Sequence, residues 1–219
     1  MSLELSGTTP AIKGVAGSVS APAITGDDAD TGISFPSADT IKFSTGGVER
    51  MQITNSGVTG TGIGGNYVKT STTTKTDTAS EAIAQGAIGS TDLISVSHAA
   101  TSSSNKLIIL VSLQLGMSST ASVGASLFIG GSQSSYRGDA AGSRQRISVW
   151  GRPGSADKQY NFSMSFVVTS PSTSSTVYSV RGSHANDSSQ TVYLNYSEHG
   201  DANYDARTAS TITVMEVAA

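Results

Sequence analysis

The densest group of chemistry-bearing side chains is the run Glu198-His199-Gly200-Asp201-Ala202-Asn203-Tyr204-Asp205. A saccharide is held by an apolar platform together with planar hydrogen-bonding groups. His199, Asp201, Asn203, Tyr204 and Asp205 offer both. Tyr136, Arg137 and Asp139 repeat the combination upstream. For both stretches the plainer alternative is a solvated loop. Trp150 and Arg152 flank Gly151, and a single tryptophan reads more readily as a packing or subunit-interface residue than as a sugar platform.

Other chemistries find less support. Asp201-x-Asn203-x-Asp205 matches the first half of a calcium loop. However, Ala206 stands where the sharp turn needs glycine, and Ile212 where the bidentate glutamate belongs. Asp27, Asp28 and Asp30 before Gly32 suit a turn better than a metal site. His98, His184 and His199 fall in separate segments with no His-x-His pair. There is no Gly-x-Ser-x-Gly elbow for a serine nucleophile. Glycan cleavage needs two carboxylates about 5–9 Å apart, and only the 198–205 run clusters acids in the C-terminal half. No catalytic residue, metal or cofactor is expected. The Asn-x-Ser/Thr matches at Asn161, Asn186 and Asn195 carry no weight.

The composition frames these groups. The 219 residues carry 13 Lys and Arg against 16 Asp and Glu, a net charge of −3. No run of like charges offers a nucleic-acid or membrane footprint. Cysteine is absent, which excludes disulfides and thiolate chemistry. The segment MSLELSGTTPAIKG has neither a basic n-region nor an apolar h-region, so a signal peptide is not expected. The longest apolar run, Leu107 to Val111, is far short of the roughly 18 residues that span a bilayer. Ser, Thr and Gly fill roughly 40% of positions, well above ordinary usage. Such small, β-compatible residues suit an extended all-β protein that completes its core with copies of itself.

Four segments follow from the pattern. Residues 1–25 have only scattered apolar positions and read as an extended arm. Residues 26–65 alternate in short pieces (Ile33 to Phe35, Thr40 to Phe43, Arg50 to Ile53) separated by turn signals such as Gly46-Gly47 and Asn55-Ser56-Gly57. Each piece offers about two inward residues, too few for one chain to build a core but enough for three wound together. Residues 66–90 read as a connector, with a strand in Thr70–Thr78 and a helical turn in Ala79–Ile88 capped by Ser80.

Residues 91–219 read as a head of eight alternating strands. These are Asp92–His98, Lys106–Leu115, Val123–Ile129, Arg144–Trp150, Gln159–Thr169, Thr176–Arg181, Gln190–Tyr196 and Thr208–Val217. In the last, Ile212 and Val214 face one way while Met215 and Val217 face the other. Some strands are apolar on both faces, as Ile108 and Leu110 are opposite Leu107 and Ile109. If the eight strands alternate up and down, the last returns to the end where the stalk enters. Ala99–Asn105, Gly130–Ser143, Ser170–Ser175 and Ser197–Arg207 then share the far tip, where binding loops gather.

The wording DTGISFPSADTIKFSTGGVERMQITNSG resembles a module of tail-fibre proteins of bacteriophages, notably those of aquatic bacteria. NKLIILVSLQLG, GDAAGSRQRISVWG and ARTASTITVMEVA resemble the C-terminal domain of such fibres. Together the resemblance covers about three quarters of the chain. It implies an all-β homotrimer: an N-terminal attachment arm, an intertwined β stalk, and an eight-stranded jelly-roll or β-sandwich head like those of phage-fibre knobs and tumour-necrosis-factor-like proteins. Leu3, Leu5 and Ile12 with Ile33, Phe35, Ile41, Phe43, Met51 and Ile53 are then the trimer and attachment residues. The implied partners are phage tail or baseplate proteins at the N-terminus and a host-surface glycan or protein at the head. The alternatives are a capsid decoration or head-fibre protein and, third, a glycan-cleaving tailspike.

Overall fold

The computed structural model describes residues 16–60, 67–120, 122–152, 154, 158–185, 188–199 and 206–219. The chain divides into two compact units, Met1–Asn66 and Tyr67–Ala219. Among the described residues the regular structure is entirely strand, and every strand pair is antiparallel.

The first unit is a meander of β1 (Ile24–Thr25), β2 (Gly32–Ser34), β3 (Ile41–Thr45), β4 (Val48–Thr54) and β5 (Gly57–Thr59). Gly46 and Gly47 have φ of 59° and 71°, the left-handed pair that a two-residue hairpin turn demands. The register sets the faces. Ile24, Ile33, Phe43 and Met51 lie in one cross-strand row, and Ile41, Ile53 and Val58 in another two residues away on the same side. Ser34, Lys42, Gln52 and Thr59 line up on the opposite side.

The second unit contains β6 (Tyr67–Lys75), β7 (Ala79–Ile83), β8 (Ile94–His98), β9 (Lys106–Met117), β10 (Val123–Ile129) and β11 (Ser132–Gln133). It continues with β12 (Val149–Gly151), β13 (Tyr160–Thr169), β14 (Thr176–His184), β15 (Gln190–Leu194) and β16 (Ser210–Val217). One sheet holds β6, β16, β9, β15, β7 and β13; the other holds β11, β10, β14, β8 and β12. Their inner faces share one core, in which Leu107, Ile109, Leu113, Leu115, Leu127, Val180, Ile212 and Val214 are wholly buried. This arrangement is compatible with a β-sandwich.

Three strands are broken in the middle. β15 and β16 both run antiparallel to β9 along the same edge, β15 beside Leu115–Met117 and β16 beside Lys106–Ser112. They are one strand interrupted between Leu194 and Ser210. Their partners β7 and β6 are interrupted opposite them, at 76–78. β11 and β12 likewise share one edge of β10, with an excursion at 134–148 between them. Counted as composites, the unit has eight strands, β6–β7 being the first.

Several expectations change. The segment expected as a connector lies inside the second unit, because β6 pairs along the whole of β16. The helical turn over Ala79–Ile88 is instead the strand β7, alternating in burial and paired with β15. Cross-strand bonding outweighed a weak helical preference with glycines at both ends of its last turn. Within Arg144–Trp150 only Val149 and Trp150 are strand. The loops 99–105 and 170–175 and the Gly130-Gly131 turn do share one end, but it is not the expected far tip. Tyr67, Val217, Lys106 and Thr169 lie in one cross-sheet row. The loops 99–105 and 170–175 therefore sit at the end where the chain enters the unit, while β9, β12 and β14 turn out at the opposite end. The uncounted strand β6–β7 inverts the parity of everything after it.

Candidate functional site

Two surfaces stand out by what they lack. No apolar residue of the described part of the first unit is buried. Ile33, Ile41, Phe43, Met51 and Ile53 are half-covered, and Phe35 (40% exposed) lines a shallow groove with Ile41 and Ile53. In the second unit, the outer face of β13, β9, β16 and β6 presents three successive rows. These are Val167–Ile108–Met215–Thr70, Ser165–Leu110–Thr213–Thr72 and Ser163–Ser112–Thr211–Thr74. None of these positions is charged. Leu110 is 41% and Val167 57% exposed.

Of the residues singled out for ligand contact, Tyr136, Arg137, Asp139 and His199 are among the described ones. The Tyr136 hydroxyl donates to the Val167 carbonyl at 3.0 Å, and its ring packs on Phe166. Arg137 donates to Gln133, with its Nε buried. Asp139 and His199 are exposed. Asp201, Asn203, Tyr204 and Asp205 lie outside the described residues, as do Leu3, Leu5 and Ile12. The Gln159 amide donates to the Ala206 carbonyl. Tyr136 is anchored at Val167, near the other end of β13.

Two buried polar centres were missed by pattern reading. The alternation that turns Ile212 and Val214 inward also turns Glu216 inward, where its side chain is fully buried. Its Oε1 accepts from Thr101 N at 2.7 Å, Thr101 Oγ1 at 2.7 Å and Asn105 Nδ2 at 2.6 Å. Burial pushes this carboxyl up, but the hydrogen bonds from Asn105, Thr101 and the Ser102 backbone together outweigh it and hold the group at about 2. His98 Nε2 stands 3.5 Å from Glu216 Oε2, a long contact, and its Nδ1 meets Ser71 Oγ at 3.0 Å. Burial holds the His98 imidazole below its ordinary value despite the nearby Glu216 charge. Burial, then that same charge, pushes the Tyr178 hydroxyl up to about 12.

The second centre is Asn195, buried with φ of 66°. It donates to the carbonyls of Lys75 and Asp77 at 2.8 and 2.9 Å and accepts from Ser210 Oγ at 2.7 Å. It thereby ties together both interrupted strands of the larger sheet. Among the described residues, no group of three or more His, Cys, Asp or Glu converges to hold a metal, and no helix is long and apolar enough to cross a membrane.

A sizeable concavity on the second unit forms where the 134–148 excursion folds back over the smaller sheet. Gly130 and Gly131, with φ of 59° and 80°, reverse β10 into β11. Ser148 Oγ donates to the Tyr136 carbonyl at 2.7 Å, and Arg146 Nε to the Gly138 carbonyl at 2.7 Å, closing the excursion on itself. Gln145 pins it down. Its amide donates to the Gly86 and Ala87 carbonyls at 3.0 and 2.6 Å, and its oxygen accepts from Ser183. Gly124 lies beneath, and a methyl group there would overlap Ile147. The result is a cleft of about 720 Å³ bordered by Gln85, Gly86, Ser143, Arg144, Gln145 and Trp150. The chain matches no protein-family model and no curated protein.

Proposed function

We propose that the chain is a homotrimeric virion structural protein of the tail-fibre type. Its N-terminal arm attaches to the phage tail or baseplate, and its second unit is a jelly-roll head that meets the host surface. The observation that carries the reading is the first unit's sheet, which gathers its apolar residues on one side and buries none of them. A sheet needs a cover for such a face, and two further copies of the same chain supply one of matching register. Three successive uncharged rows on the outer face of β13, β9, β16 and β6, with Lys106 only in the row beyond them, support the same symmetry, since like meets like there without repulsion. The order of composite strands, β6/β7–β15/β16–β9–β13 in one sheet and β11/β12–β10–β14–β8 in the other, supports the jelly-roll reading.

On this reading the mechanism is avidity. Three weak sites per trimer, repeated around a virion, raise binding by about 10²–10⁴-fold without any new contact. The test has two parts. Light scattering on the purified protein is expected to give three times the 22.2 kDa chain mass; a stable monomer overturns the trimer. Antibody to residues 67–219 is expected to label virion tails; label over the capsid makes the protein a shell decoration instead.

A further inference from the structure

We infer that the cleft beside Trp150 binds an acidic saccharide, a sugar bearing a carboxylate, through the indole ring and Arg144. For its biological setting the inference rests on the adhesion reading; the binding chemistry stands on the cleft alone.

Three observations converge. The first is shape: about 720 Å³ falls within the range of roughly 300–1,000 Å³ typical of small-molecule sites, enough for one or two sugar rings. The second is the ring. Trp150 is the chain's single tryptophan and is 45% exposed at the rim of this cleft. The C–H face of a pyranose packs on such a ring, whose electron-rich face attracts the polarised hydrogens.

The third is charge. The segment 137–152 carries Arg137, Arg144, Arg146 and Arg152 against Asp139 alone, in a chain whose net charge is −3. Arg146 is turned back on the Gly138 carbonyl. Arg144 is exposed on the cleft wall, with no carboxylate among the lining residues and none paired to it among the described residues. A guanidinium presents a planar fork that matches a carboxylate. Gln145 is committed to the fold by its hydrogen bonds, so the wall is rigid rather than adaptable. Gln85 and Ser143 are exposed beside it and supply neutral hydrogen-bonding groups for sugar hydroxyls.

The single tryptophan makes the test direct. The full chain is titrated with oligogalacturonate and, separately, with its methyl ester, while tryptophan emission is followed. The acid form is expected to shift the emission saturably, with millimolar affinity, and the ester to bind about tenfold more weakly. Arg144→Gln, at an exposed position, is expected to keep the circular dichroism of the parent and to erase the difference between acid and ester. Trp150→Ala, monitored by isothermal titration, is expected to lose both. Equal binding of acid and ester, retained preference in Arg144→Gln, or emission that is insensitive to both sugars would overturn the proposal. An indole already shielded from acrylamide would likewise overturn it and assign Trp150 to a subunit contact. None of these outcomes depends on where the protein sits in a virion, so the binding site and the adhesion reading fail separately.

Discussion

Glu216 is a carboxylate with no route to solvent, kept charged by the hydrogen bonds of Thr101, Ser102 and Asn105. Its folded value of about 2 lies below the 4.5 of the free group. Its stabilising contribution is therefore complete above pH 4.5 and is lost as pH falls toward 2. His98, held below 6.5, acts in the same direction: the fold prefers the neutral ring, so acid begins to destabilise it below pH 6.5. Urea midpoints measured from pH 7 to pH 2 are expected to fall monotonically. Glu216→Ala leaves buried donors unpaired and is expected to cost about 3 kcal/mol and to flatten the slope below pH 4.5. At Asn195 the loss is of a different kind. Asn195→Ala removes the bonds to Lys75 and Asp77 and also replaces a residue type tolerant of positive φ. Thermal unfolding is expected to show a loss of about 2–3 kcal/mol.

At the scale of elements, the pairing of β9 with β13, β16 and β15 organises the larger sheet. Its two faces have opposite fates. The inner one is packed; the outer one mixes Ser and Thr with half-exposed Ile108, Leu110, Met215 and Val167. A single exposed substitution there changes the stability of one chain by only about 0.5 kcal/mol. Val167→Glu combined with Leu110→Glu is therefore expected to leave the circular dichroism unchanged but to lower the mass measured by light scattering, because three copies would each bring two buried charges to the contact. Unchanged mass would remove this face from the assembly. The 134–148 excursion is likewise seated by one small residue. Gly124→Ala would set a methyl overlapping Ile147 Cδ1 and 2.6 Å from the Val149 carbonyl oxygen, so the backbone of β12 has to shift, and its expected signature is a red shift and higher quenching of the Trp150 fluorescence with little change in far-ultraviolet signal.

At the scale of the molecule, the described apolar core belongs wholly to residues 67–219. That fragment is expected to unfold in one cooperative transition on its own, at a midpoint within a few degrees of the corresponding transition of the whole chain. Residues 1–66 alone are expected to show strand signal only at high concentration, since none of the apolar residues described in their sheet is buried. Calorimetry at two concentrations checks both statements. Concentration-independent folding of 1–66 would show that the first sheet needs no partner.

Alternation along single strands was enough to determine much of this protein. The inward sets of β9, β10, β13 and β16, the turn at Gly46-Gly47 and the one-sidedness of Ile33, Ile41, Phe43, Met51 and Ile53 are local consequences of a period of two and of glycine at positive φ. Nothing local distinguishes a strand that ends from one that pauses. The threonine-rich strand expected in Thr70–Thr78 was legible, though not its place in the sheet beside β16; the five residues of β7 became a strand because β15 offered them an edge. That one added strand moved the loops 99–105 and 170–175 from the far end to the end where the chain enters the unit. Whether Glu216 is a surface charge or a buried one depends on Thr101 and Asn105, 115 and 111 residues away in sequence, and whether Trp150 borders a cleft depends on the segment at Gln85. Side-chain periodicity is a property of a few neighbouring residues; pairing partners, loop ends and clefts are set by contacts between distant ones, and only the tertiary structure decides those.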